Sequence, residues 1–165
     1  MRLLVFLHGT VIMHPGGLGR SREQRVAQVR AGADPSLRDY GAYVPVGNAV
    51  AKLRRWQQQG AQVGYLSSHR NPDDVAADEQ VLRNHGFPPG RVFARQPGQG
   101  YGDLAAAELP DVLIEDDCQS IGADQVTYPQ VRPDLRGRIK SIIVPEFGGI
   151  DHLPDSLQGL LTFKP

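Results

Sequence analysis

Leu3-Leu4-Val5-Phe6-Leu7, followed at once by His8-Gly9-Thr10, is the stretch on which the fold turns. An uninterrupted apolar run of this length is what a central strand covered on both faces presents, and Gly9-Thr10 ends it. The run is too short for the core of a signal peptide and far too short to span a bilayer. A first strand buried on both sides needs helices above and below it, and the rest of the chain supplies them.

From Gly47 to Gln59, Val46, Ala49, Val50, Leu53 and Trp56 recur at three- and four-residue spacing, with Lys52, Arg54, Arg55 and Gln57 opposite, so a helix is expected there with Gly60 as its cap. Gln62–Ser67 reads as a second strand. A helix is expected over Pro72–His85, with Asn71 as N-cap, Pro72 at the first position and Asp73-Asp74 near the positive end of the dipole. Arg91–Ala94, Asp111–Ile114 and Lys140–Val144 complete the strands, and Asp103–Leu109 is a short helix. Strands alternating with helices predict one α/β domain over residues 1–165, a three-layer Rossmann-like parallel sheet with helices on both faces. Met13–Pro45 breaks the pattern: rich in Gly and Pro, with one helical candidate at Ser21–Arg30, it reads as a small lid or flap inserted after the first strand.

Composition removes whole classes of function. At 165 residues and 40% hydrophobic, the chain can bury roughly 70% of its unfolded surface in one core. Its 18 basic residues balance 18 acidic ones, so no global field draws it to nucleic acid or to anionic lipid, and neither partner is expected. Cys118 is the only cysteine; without a disulfide framework or thiolate cluster the chain suits a reducing, cytoplasmic setting.

In open parallel sheets, ligands bind beyond the carboxyl ends of the strands near the point where strand order reverses. Three polar groups fall there: His8-Gly9-Thr10, Ser67-Ser68-His69-Arg70 and Glu115-Asp116-Asp117. Together they can hold a divalent cation and a phosphate-like anion. Consecutive acids after a buried strand repel one another unless a cation or an arginine compensates, with Arg70 and Arg132 the nearest protein candidates. His14 and His69 are expected near the mouth of the cleft, and His85 at a helix end.

The order of Leu3–Thr10, Val44-Pro45-Val46-Gly47 with its helix, Tyr65–Arg70 and Val112–Asp117 resembles the haloacid dehalogenase (HAD-like) superfamily of phosphohydrolases over most of the chain. The resemblance implies a phosphoryl-holding hydroxyl at Ser67, anion contacts from Gly9, Thr10 and Ser68, and a Mg²⁺ or Mn²⁺ site at Glu115, Asp116 and Asp117. It also implies a small phosphorylated substrate and catalytic roles for His8, Ser67 and Arg70. Two departures stand beside it. The family's first motif is Asp-x-Asp-Gly-Thr, whereas Phe6 and His8 occupy the two aspartate places here, and a phenyl ring forms no aspartyl phosphate. No lysine lies between Lys52 and Lys140, which leaves the family's lysine to Arg91, Arg95 or Arg70, a guanidinium of different reach. The expected function is therefore a divergent metal-dependent phosphohydrolase, or a non-catalytic relative that binds a small anion or a partner protein. His8-Gly9 also resembles the oxyanion-hole segment of α/β-hydrolases, but Gly64-Tyr65-Leu66-Ser67-Ser68 fails the spacing of their nucleophile elbow.

Overall fold

A computed structural model of the chain describes residues 1–118, 121 and 126–164. Strand β1 (Arg2–Phe6) leads into a short β2 (Ile12–Met13), helix α1 (Arg22–Ala31), a short β3 (Val44–Pro45) and helix α2 (Ala49–Gln58). Strand β4 (Gln62–Leu66), helix α3 (Pro72–Asn84), strand β5 (Val92–Phe93), helix α4 (Tyr101–Glu108) and strand β6 (Val112–Asp116) follow. A short α5 (Pro133–Arg136), strand β7 (Lys140–Val144) and α6 (Leu157–Thr162) close the chain. The main sheet has the order β5-β4-β1-β6-β7, and every pair in it is parallel. Strand order therefore reverses beside β1, with β4 on one side and β6 on the other.

The two-residue alternation of β1 sorts the core. Leu3, Val5 and Leu7 pack with Ala49, Leu53 and Trp56 of α2, Val81 and Leu82 of α3 and Leu160 of α6. Leu4 and Phe6 face the other way, onto Tyr101, Leu104 and Ala105 of α4. This is the three-layer α/β sheet that the continuous apolar runs call for. Trp56 is fully buried and its indole N–H donates to the Pro154 carbonyl at 3.0 Å, so the largest core side chain leaves no polar atom unmet. Asn71 caps α3 by accepting from the Asp73 N–H, and Gly60, at φ 94°, follows the end of α2. No described helix is long and apolar enough to cross a membrane.

The Met13–Pro45 segment is tied down at both ends and in the middle. β2 and β3 form an antiparallel ribbon at its base. Helix α1 begins with a capping box between Ser21 and Gln24 and ends at Gly32 in the left-handed region, φ 64°. From α1, Arg22 Nε donates to the Glu146 carbonyl at 2.9 Å and an Arg25 amine donates to the Phe147 carbonyl at 3.1 Å. Both acceptors lie just beyond β7, so the segment rests against the carboxyl edge of the sheet.

Candidate functional site

Four strand ends meet at that edge. Asp116, the last residue of β6, is 2% exposed. Its Oδ1 accepts the Thr10 hydroxyl at 2.6 Å, and its Oδ2 accepts the Cys118 thiol at 2.9 Å and the Cys118 N–H at 3.3 Å. Glu146, from the turn after β7, lies 3% exposed, and its Oε2 is a buried acceptor with no hydrogen-bond partner among the described residues. Gly9 separates the two acids. A Cβ added there would sit 2.8 Å from Glu146 Oε1 and 3.2 Å from Asp116 Oδ2, and its φ of 81° suits glycine alone. Two of the non-glycine residues with positive φ, Cys118 and Phe147, flank these acids, and such strained backbone concentrates where function holds it in place.

The electrostatics agree with the geometry. Burial raises the Asp116 carboxyl above the ordinary aspartate range, against the opposing hydrogen bonds from Cys118 and Thr10. Burial, then Asp116 and Asp117, push Glu146 up to about 8, with Arg22 opposing. The Cys118 thiol is pushed up by burial and by Asp116, so it stands as a neutral S–H donor to that carboxylate. Asp116, Cys118 and Glu146 each offer a ligand atom within 4.8 Å of the others. With the thiol protonated, the effective donors are two carboxylates, a hard-oxygen pair that fits Mg²⁺ or Mn²⁺.

His8, just past β1, forms a second cluster with β4 and α3. Its Nε2 lies 2.9 Å from Asp78 Oδ1 and its Nδ1 2.7 Å from Ser68 Oγ. Asp78 is fully buried in α3, where its Oδ2 accepts the Ser67 hydroxyl at 2.6 Å. The His8 and His69 rings stand 4.5 Å apart, Tyr40 packs on His69 at 4.1 Å, and Tyr43 meets His8 at 5.6 Å. Burial and neighbouring His8 hold His69 below the usual histidine range, with Asp78 opposing.

Two cavities open on this edge. One, of about 290 Å³, is lined by Phe6, His8, Ser68, Arg95, Asp116 and Glu146 among others. The other, of about 270 Å³, lies under the inserted segment and shares His8, Ser68 and Glu146 with the first. In the first, the Arg95 guanidinium lies 3.8 Å over the Tyr101 ring, and its buried Nε has no hydrogen-bond partner among the described residues.

The residues singled out from sequence meet different fates. His8, Ser68, Gly9, Thr10, Glu115 and Asp116 come together around the cleft. Ser67 is buried, with its hydroxyl donated to Asp78 and accepting the His69 N–H at 3.0 Å, so the cleft is lined by its neighbour Ser68. Glu115 is 2% exposed and anchors the Thr127 and Tyr128 backbone N–H groups at 2.5 and 3.1 Å. Asp117 accepts from the Glu146 N–H and lies 3.9 Å from an Arg22 amine. Arg70 is exposed and lines neither cavity. Nor does Arg70 or Arg132 reach the acids: Arg132 pairs with Asp134, and the guanidinium beside them is Arg22. His14 and His69 both line the second cavity, and His85, at the end of α3, reaches the Tyr43 carbonyl at 3.1 Å.

Sequence reasoning missed Asp78 and Glu146. Asp78 sits three residues after Val75 and three before Val81, on the apolar stripe of a helix, and an acid on such a stripe is the signal that marks it. Glu146 carries no local signal; only the register of β7 against β6 brings it to the edge.

No family model and no curated protein matches the sequence. Among solved structures, the chain is similar to one described as a Pnkp1/Rnl/Hen1 complex, with a TM-score of 0.50 and 15% identity over 88% of this chain and 46% of that one. The chain thus spans about half the length of that relative. It is also similar to a crystal structure of phosphoserine phosphatase in apo form, with a TM-score of 0.42 and 12% identity over 99% of this chain and 98% of that one. The second is too distant to bear on this chain, and the first is a likeness of fold alone.

Proposed function

We propose that the chain is a divergent HAD-like hydrolase that takes a divalent cation, Mg²⁺ or Mn²⁺, between Asp116 and Glu146 and acts on a small phosphorylated molecule held against Arg95. The observation that carries this reading is the Glu146 carboxylate: its Oε2 is buried with no hydrogen-bond partner among the described residues, its Oε1 lies across Gly9 from the buried Asp116 carboxylate, and both residues line the cavity. An unpartnered acceptor at such burial is destabilising by about 1–3 kcal/mol, and a cation removes that penalty while supplying the charge that holds two acids together. Glu146 in this reading replaces the carboxylate lost at Phe6, entering from β7 rather than from β1. When bound, the cation supplies charge neutralisation and polarisation at a phosphoryl oxygen.

This chain's own residues do the rest. Arg95, held flat by Tyr101, receives the anion. Phe6 and Tyr101, 5.0 Å apart edge to face, keep the wall of the cleft apolar and so strengthen the charge interactions within it. His8 takes up and returns a proton at Nδ1. The 13–45 segment, pinned by Arg22 and Arg25, acts as a lid over the cleft.

A panel of phosphate monoesters assayed with Mg²⁺, with Mn²⁺ and with chelator tests the reading. Cation-dependent phosphate release, lost in Asp116→Asn, is expected. Cation binding without turnover would make the chain a non-catalytic anion-binding relative, and indifference to cations would make the acids structural; either result overturns the hydrolase.

A further inference from the structure

Phe6 closes off a covalent aspartyl intermediate, yet the same cavity wall carries a serine set up as a nucleophile. Ser68 Oγ lies 2.7 Å from His8 Nδ1, and His8 Nε2 lies 2.9 Å from Asp78 Oδ1. The Ser68 backbone N–H also points at His8 Nδ1, 3.4 Å away. A backbone N–H can only donate, so Nδ1 is the ring's acceptor and Nε2 carries the proton, which the Asp78 carboxylate accepts. The Ser68 hydroxyl therefore donates to Nδ1. Asp78 cannot swing away, because its other oxygen holds the Ser67 hydroxyl at 2.6 Å and Ser67 in turn holds the His69 N–H at 3.0 Å. Ser68 is half-buried and lines both cavities, and in the first of them Arg95 has a buried Nε with no hydrogen-bond partner among the described residues.

We propose that Ser68 is the nucleophile of the cleft, with His8 as its general base and Asp78 as the positioning residue that fixes the His8 tautomer. The substrate class, a phosphate monoester, rests on the function proposed above; the relay itself does not. Ser68 Oγ bonds to phosphorus while its proton passes to His8 Nδ1, and the bond from phosphorus to the alcohol oxygen breaks as that oxygen takes the proton back from His8. Water then attacks the phosphoserine, giving a proton to His8 Nδ1. The Oγ–phosphorus bond breaks and Oγ recovers the proton. One water is consumed, one alcohol and one phosphate leave, and nothing is oxidised or reduced. The serine thus replaces, from β4, the covalent step that β1 has lost.

Diisopropyl fluorophosphate, added in chelator so that no cation takes part, tests the relay. It loses fluoride to an activated hydroxyl, and intact-mass analysis with peptide mapping locates the adduct. A single adduct on Ser68 is expected, absent in Ser68→Ala and formed at least tenfold more slowly in His8→Gln and in Asp78→Asn. Asp78→Asn should also shift the His8 ring N–H resonance, a change that loss of helix stability alone does not produce. Should Asp78→Asn fail to fold, His8→Gln and Ser68→Ala carry the test. No adduct on the parent, an adduct on Ser67 instead, or an unchanged rate in His8→Gln would overturn the proposal. Labelling without any cation response would remove the metal-dependent function and leave the relay; a cation response without labelling would do the reverse.

Discussion

Replacing Glu146 with Gln should change stability in opposite directions depending on whether a cation is present. The carboxyl is pushed from an ordinary 4.5 up to about 8 by burial and by Asp116 and Asp117, with Arg22 opposing. Between those values the native state keeps a proton that the unfolded chain has lost. Native stability therefore falls as pH rises through that window and levels off above it. At ~1.4 kcal/mol per unit the shift corresponds to at most ~5 kcal/mol, and water reaching the cleft relieves part of it, so ~2 kcal/mol is the expected gain when Gln removes the charge. For a chain of this size that is roughly 4–8 °C in Tm at pH above 8 without cation. With Mn²⁺ at about a hundred times its Kd the parent should gain ~2.7 kcal/mol and the variant nothing, so their order reverses. Calorimetric melts of both proteins across pH, with chelator and with Mn²⁺, check this. Comparing variant with parent isolates Glu146 from Glu115 and Asp116, also raised by burial, and from His14 and His69, lowered by it. A variant less stable than the parent at every pH, or equally responsive to Mn²⁺, would refute the reasoning.

Phe6→Asp should lower stability without cation by about 3–5 kcal/mol, the loss of a buried ring that packs on Tyr101, while tightening Mg²⁺ binding through a third carboxylate; denaturant unfolding and calorimetric titration read the two effects. Gly9→Ala forces a Cβ to within 2.8 Å of Glu146 Oε1 at a φ of 81°. It should destabilise the protein by ~2 kcal/mol and weaken cation binding at least tenfold, since the Glu146 carboxylate must move.

How much of this was legible in the sequence follows from what each feature depends on. The sheet was: Leu3–Leu7, Gln62–Ser67 and Asp111–Ile114 are local apolar patterns, and burial on two faces dictates them whatever the tertiary detail. The strand-end cleft was legible too, since strand order puts His8, Ser67-Ser68 and the acids on one edge. What engages each acid there was not. In β6, Ile114 packs with one core layer and Leu113 with the other, and by the same alternation Glu115 and Asp116 part ways. Both line the cavity, but the Glu115 oxygens are taken by the Thr127 and Tyr128 N–H groups, whereas Asp116 meets Thr10 and Cys118. A one-residue difference likewise separates Ser67, buried on Asp78, from Ser68, open to the cleft. Asp78 and Glu146 depend on helix docking and on β7 register, contacts distant in sequence that no local pattern encodes.

Diffraction from crystals soaked in Mn²⁺ and recorded at its absorption edge tests most directly whether Asp116 and Glu146 form a cation site. The predicted result is one strong anomalous peak between the Asp116 and Glu146 carboxylates, absent in Asp116→Asn. No peak there, or a peak confined to the His8, His69 and Asp78 cluster, would contradict it.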